Sequence, residues 1–239
     1  MPPVDRLPPP PAVPVRSPSA SVAGEMEMQV PGRSGGPSLE ARVCTPSRPN
    51  RAVLLCHPHP LYGGSMHSPV PLAIAKILSE KGGSRVAWAR FNFRGVGASA
   101  GTYDGGRGEV DDADTLLDVL ERTAGPVPVT VCGHSFGASV AFKAAALHPR
   151  VDRLLLIAPS PHLFEGIAAP GTPPARVTIF VGDRDELYGV DDVRNLAGRL
   201  GAELEIFEGF DHHFLKSRRV LAEAAFRVIA PEAQQATAP

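Results

Sequence analysis

The sequence lacks several features that would commit it to a membrane, a disulfide framework or a nucleic acid. No apolar run approaches the roughly 20 residues of a membrane span. The N-terminus shows no charged stretch followed by an apolar core, so no secretory signal is read there. Cysteine is scarce: Cys44, Cys56 and Cys132 are odd in number and dispersed, two of them in predicted strands. That excludes a disulfide scaffold and predicts buried, reduced thiols in a cytoplasmic protein. Net charge is nearly absent, at −1, with both signs interspersed. Without a basic field, neither nucleic acid nor an anionic membrane is an expected partner. What the chain does have is apolar content, 43% of 239 residues. That is enough to core one large α/β domain or two small ones.

Residues 1–24 differ from the rest. Leu7-Pro8-Pro9-Pro10-Pro11-Ala12-Val13-Pro14 has no helix or strand pattern and reads as an extended, disordered tail. A solvated tail, or a true start at Met26 or Met28, is favoured over a proline-motif ligand, because composition alone rarely marks a binding motif. Residues 25–231 form the expected folded domain, and 232–239 a second disordered tail.

Within that domain, Met26 to Val30 and Leu39 to Val43 alternate and are separated by turn formers, which predicts an antiparallel pair. From Arg51 onward, strand and helix patterns take turns. Strands are predicted at Arg51 to Cys56, Arg85 to Phe93, Val127 to Cys132, Val151 to Pro159, Arg176 to Gly182 and Glu203 to Phe207. Helices are predicted at Pro69 to Lys81, Glu109 to Thr123, Ala138 to Leu147, Asp191 to Leu200 and Phe214 to Ile229. Leu72, Ala73, Ile77 and Leu78 are the expected apolar set of the first helix. The acids Glu109, Asp111, Asp112 and Asp114 read as a solvated helix start that complements the helix dipole. The alternation predicts an α/β fold with a mostly parallel twisted sheet, helices on both faces and the antiparallel hairpin at one edge. The stretch from Ser160 to Pro174 is too short for a large cap domain, with one helical turn expected over 162–167.

The chemistry centres on Gly133-His134-Ser135-Phe136-Gly137, a G-x-S-x-G between a predicted strand and a predicted helix. In that context the pentapeptide means a nucleophile elbow, in which Ser135 stands exposed on a strained turn. A serine needs a base, and the base an orienting carboxylate. Asp183, Asp185 and Glu186 follow one strand, and His212 and His213 follow the next. Asp185 is favoured over Asp183, because it lies far enough past the strand to turn towards the base. His212 is favoured over His213. The Phe136 N–H points at a developing oxyanion, and the loop His57-Pro58-His59-Pro60-Leu61-Tyr62-Gly63-Gly64 presents further amides. Pro58 and Pro60 have no N–H, so His59, Leu61 and Tyr62 are the candidates. His57, His59 and His67 make only a weak zinc set, and no metal or cofactor is expected. The glycines from Gly95 to Gly101 lack a Gly-Lys-Ser/Thr and read as a plain loop. His134, His148 and His162 read as satisfied core or surface residues.

These stretches, with Arg90-Phe91-Asn92-Phe93-Arg94-Gly95-Val96-Gly97, resemble the α/β-hydrolases. More narrowly, they resemble the compact bacterial ones related to the dienelactone-hydrolase group. The resemblance covers residues 25 to about 230 and implies the α/β-hydrolase fold, with Ser135 as nucleophile, Asp185 as acid and His212 as base. Relatives usually carry an aromatic residue after the catalytic histidine; His213 stands there here, so both histidines stay candidates. The implied activity is a serine hydrolase of ester or thioester bonds acting on a small-molecule acyl substrate without a cofactor. Acyl transfer by the same residues, or a fold that has lost its chemistry, are the other readings.

Overall fold

The structure, a computed structural model, describes residues 21–166 and 175–231. The expected tails, over residues 1–20 and 232–239, lie outside the described residues, and so does 167–174 of the stretch expected to carry no large cap. Among the described residues, no helix is long and apolar enough to cross a membrane.

Eight strands form one sheet: β1 (Met26–Val30), β2 (Leu39–Cys44), β3 (Arg51–Cys56), β4 (Val86–Phe91), β5 (Val129–His134), β6 (Val151–Ile157), β7 (Arg176–Gly182) and β8 (Glu203–Phe207). Their order is β1-β2-β4-β3-β5-β6-β7-β8. β1 and β2 pair antiparallel, β2 joins β4 antiparallel, and every pairing from β4 across to β8 is parallel. The central strands are buried throughout: every residue of β3, β4 and β5 is covered, the polar Arg51, Arg90, Thr130 and His134 included. A parallel sheet covered on both faces demands this. The pleat then divides each strand between two cores. Ala52, Leu54 and Cys56 face one, Val53 and Leu55 the other.

Helices α1 (Pro69–Lys81) and α5 (Arg218–Ile229) cover the Val53 face. Helices α2 (Gly108–Ala124), α3 (Phe136–Ala145) and α4 (Val190–Leu200) cover the Leu54 face. Burying each such leucine contributes about 1.5–3 kcal/mol. The chain leaves β3 for β4 on one side and returns to β5 on the other. The loops after β3 and β5 therefore part to opposite faces, and the crevice between them is where such sheets bind ligands.

Three local expectations are corrected. Helix α5 starts at Arg218 rather than Phe214: Phe214 has φ +53°, which no right-handed helix accommodates, and Ser217 accepts the Val220 N–H as the true cap. In α1 the buried stripe is Val70, Ile74, Ile77 and Leu78, while Leu72 and Ala73 are only partly covered. Finally, the acidic start of α2 is only half solvated. Glu109 and Asp112 are buried, Glu109 accepting the Asp104 and Gly106 N–H groups at 2.8 and 2.7 Å. Asp112 accepts the Arg94 N–H and grips its guanidinium at 2.7 Å. Burial pushes the Asp112 carboxyl up, against the lowering pull of Arg94. These acids tie down the loop after β4.

Candidate active site

Strand β5 ends at His134 and helix α3 begins at Phe136, so Ser135 must turn the chain alone. It does so at φ 56°, ψ −119°, with its N–H donating to the Ile157 carbonyl at 2.8 Å. A non-glycine residue there is strained by about 1–3 kcal/mol, and the central position of β5 holds it in place. The two glycines have separate steric reasons. A Cβ on Gly133 would stand 2.1 Å from the Gly137 carbonyl oxygen, and one on Gly137 would stand 2.4 Å from that of His57. Strand, helix and the loop after β3 approach one another too closely for any other residue.

The turn brings Ser135 Oγ to 3.0 Å from His212 Nε2, and His212 Nδ1 lies 2.8 Å from Asp185 Oδ2. A carboxylate only accepts, so Nδ1 carries the proton and Nε2 is the acceptor for the serine hydroxyl. Asp185 is itself fixed: its Oδ1 accepts the N–H groups of Leu187 and Tyr188 at 2.9 and 3.0 Å. Asp183 has a different place. It accepts the Gly209 N–H and so ties the β7 loop to the β8 loop. His213 is exposed, with its ring 5.2 Å from that of His212 and edge-on to it.

Phe136 N–H is the first amide of α3 and has no carbonyl within the helix to bond. In the loop after β3, the Leu61 N–H donates to His59 Nδ1 at 3.2 Å. The N–H groups of Tyr62 and Gly64 donate to the His59 carbonyl at 3.1 Å each. Those amides therefore close the turn around His59 instead of facing Ser135. With Nδ1 accepting, the His59 proton sits on Nε2, 3.2 Å from the Tyr103 hydroxyl.

The FNFRG stretch buttresses this loop. Phe93 N–H donates to His57 Nε2, and the Asn92 side chain accepts from Met66 N–H at 2.8 Å and donates to Glu40 at 2.7 Å. Burial pushes the His57 imidazole down to about 3, partly offset by its bond to the Pro58 carbonyl. It is a neutral brace. Among the described residues no three His, Cys, Asp or Glu side chains come together as a metal-binding group. The three cysteines are buried free thiols, all pushed up by burial, Cys44 to about 11.

A cavity of about 320 Å³ opens over Ser135, walled by Tyr62, Pro69, Val70, Leu187 and His213. None of the described residues that line it is Asp, Glu, Lys or Arg. Two contributors carried no signal in the sequence. Tyr103 stands in an unpatterned loop, and His134 fills the variable position of the pentapeptide.

The family described as serine aminopeptidase, S33, matches residues 47–171. An uncharacterized protein of Rickettsia prowazekii is 34% identical over 187 residues, 74% of this chain and 77% of that one. Among solved structures, an α/β serine hydrolase homologue from Coxiella burnetii is 32% identical with a TM-score of 0.73, over 87% of this chain and 97% of that one. An α/β serine hydrolase without a lid, from Xanthomonas campestris, is 26% identical with a TM-score of 0.72, over 92% and 97% of the two chains.

Proposed function

The chain belongs to the serine aminopeptidase S33 family of α/β-hydrolases, and from that premise we propose that it cleaves ester or thioester bonds of small, uncharged acyl substrates through an acyl-enzyme. The observation that carries the reading is the continuous line Ser135 Oγ, His212 Nε2, His212 Nδ1, Asp185 Oδ2, with spacings of 3.0 and 2.8 Å at the mouth of a cavity.

Ser135 is a poor nucleophile while protonated. As its oxygen attacks the acyl carbon, its proton passes to His212 Nε2, and the Asp185 carboxylate stabilises the imidazolium that forms. The carbonyl oxygen becomes an oxyanion, held by the Phe136 N–H and the His59 N–H. A donor of this kind is worth about 10²–10³ in kcat. Collapse of the tetrahedral intermediate breaks the bond to the leaving alcohol or thiol, which takes its proton from His212. Water, deprotonated by His212, then releases the acid and restores the serine. The described lining has no side-chain charge to meet an anionic acyl group, and its tyrosine, proline, valine and leucine suit an apolar one.

The name of the matched family suggests a second substrate, a peptide with a free amino terminus. That ammonium would need a carboxylate in the cavity. The described lining offers none, and both Asp185 oxygens are already bonded, so the ester reading is preferred. Transfer of the acyl group to an alcohol or amine would use the same residues. We also assign residues 25–231 to one catalytic domain and the protein to the cytoplasm, the latter supported by its three reduced thiols.

The test is labelling with a fluorophosphonate probe, read by intact mass. Wild type is expected to gain one adduct with loss of fluoride, and Ser135→Ala none. An unlabelled wild type sinks the reading. A panel of esters, thioesters, lactones and aminoacyl amides then ranks the substrates.

A further inference from the structure

His134, the variable residue of the pentapeptide, is 3% exposed and meets the base loop directly. Its Nε2 lies 3.1 Å from the backbone carbonyl of His212. A carbonyl only accepts, so the Nε2–H donates and the ring is the Nε2–H tautomer. The rings of His134 and His212 lie 5.4 Å apart, tilted by 34°. We propose that His134 is a positioning residue whose bond to the His212 carbonyl holds the base in register with the Ser135 hydroxyl. The proposal rests on Ser135 and His212 being the reacting pair.

Three observations support it. First, the bond joins the residue before the serine to the peptide of the base itself. It links the elbow to the base loop through one hydrogen bond of 3.1 Å. The His212 N–H is held on its other side by Glu186 at 3.3 Å, so the peptide groups flanking the base are anchored to the end of β5 and to the loop after β7. The Ser135–His212 spacing is then set by rigid backbone and not only by the reacting hydrogen bond, as preorganised catalysis requires.

Second, His134 Nδ1 is buried with no hydrogen-bond partner among the described residues. A buried acceptor left unpaired is unfavourable, and leucine or phenylalanine would fill the space without that penalty. The Nε2 bond is the feature that histidine supplies here and an apolar residue cannot.

Third, the ring stays neutral. Burial pushes its imidazole down to about 3, and the neighbouring His212 and His213 push the same way, against the raising effect of its bond to the His212 carbonyl. A second cation beside His212 would oppose formation of the imidazolium that the reaction needs. A neutral donor gives the geometry without the charge.

The experiment compares wild type with His134→Phe, His134→Asn and His134→Gln, using fluorophosphonate labelling rate and steady-state hydrolysis of p-nitrophenyl acetate and butyrate. Gln places an amide N–H where Nε2 stands; Asn places its amide at the Nδ1 position, short of the carbonyl. His134→Phe is expected to lose about 10- to 100-fold in kcat, since a misplacement on the order of 1 Å costs about that much, with little change in KM. His134→Asn should behave like His134→Phe, and it carries the prediction if the phenylalanine variant does not fold. His134→Gln should recover most of the rate. Wild type that labels beside a His134→Phe that reacts as fast overturns the positioning role alone. Equal losses in folded Gln and Asn variants overturn it too, because space and not the bond would then matter. A wild type that takes no probe overturns the hydrolase reading, and this inference with it.

Discussion

His57 accepts the Phe93 N–H on Nε2 at 3.0 Å and donates its Nδ1–H to the Pro58 carbonyl at 2.6 Å. One buried ring thereby joins the end of β4 to the loop that carries His59. Because both nitrogens are engaged in the neutral state, a further proton can be accepted only by breaking the Phe93 bond.

The first prediction follows from that ring and from His134. Both have folded-state values near 3, lowered chiefly by burial, against about 6.5 in the unfolded chain. Between these limits the unfolded state binds more protons, so stability is complete above about pH 6.5 and falls as pH falls towards 3. Each histidine removes about 1.4 kcal/mol per pH unit once well below 6.5. Urea midpoints should therefore drop between pH 7.5 and 5, and His134→Gln should show a shallower drop. A midpoint independent of pH over that range is incompatible with two neutral buried histidines.

The two aspartates after β7 are expected to behave differently. Asp185→Asn leaves the His212 tautomer wrongly set and should cut kcat by about 10⁴. Asp183→Asn only weakens the tie to Gly209 and should keep activity within about tenfold, since loop bonds of this kind are worth on the order of 1 kcal/mol. Ester hydrolysis by the two purified variants decides it; the reverse ranking would assign the acid role to Asp183.

Tyr103→Phe removes the hydroxyl that faces His59 Nε2. If the His59 amide stabilises the oxyanion, loosening that ring acts in the transition state and not on ground-state binding. The expected result is a fall of about tenfold in kcat, a fraction of a full donor's worth, at nearly constant KM. A raised KM at unchanged kcat would place Tyr103 in substrate binding instead.

Glu25 is matched to Arg90 by two contacts of 2.7 Å, with both side chains fully buried. Arg90 also donates to the Met66 carbonyl at 2.9 Å. Glu25→Ala leaves a buried guanidinium without its carboxylate, a loss of about 3–5 kcal/mol. Equilibrium urea unfolding measures it, and a chain shortened to begin at Met26 should lose a similar amount. A change below about 1 kcal/mol would mean that water reaches Arg90 in the variant, the exposed-pair regime.

Much of the fold was legible because the chain repeats one strong signal. Short segments rich in aliphatic and β-branched residues at Arg51–Cys56, Val129–His134 and Val151–Ile157 alternate with amphipathic helices, and burial on both faces leaves few other arrangements. Legibility failed where a local turn competed with that pattern. Phe214 continues an apolar helix pattern in the sequence, but the chain there folds back to bond Asp211 and adopts positive φ. Glu109 and Asp112 look like ordinary solvated acids of a first turn until Arg94 and the loop after β4 close over them.

By itself the sequence determined the alternation of strands and helices along the chain, the antiparallel pair at one edge and the elbow, because periodicity and steric exclusion are properties of neighbours along the chain. Only glycine fits at 133 and 137, and the pentapeptide states that directly. The tertiary structure decided everything that depends on partners far apart in sequence. It brought Asp185 and not Asp183 to His212, 27 residues away, and it set Ser135 against a ring 77 residues on. It turned the Leu61 and Tyr62 amides onto His59, and it gave His134 a bond to the His212 carbonyl. The physical reason is that a hydrogen bond depends on distance and angle to within a few tenths of an ångström, and no pattern of residue types encodes that before the loops have packed.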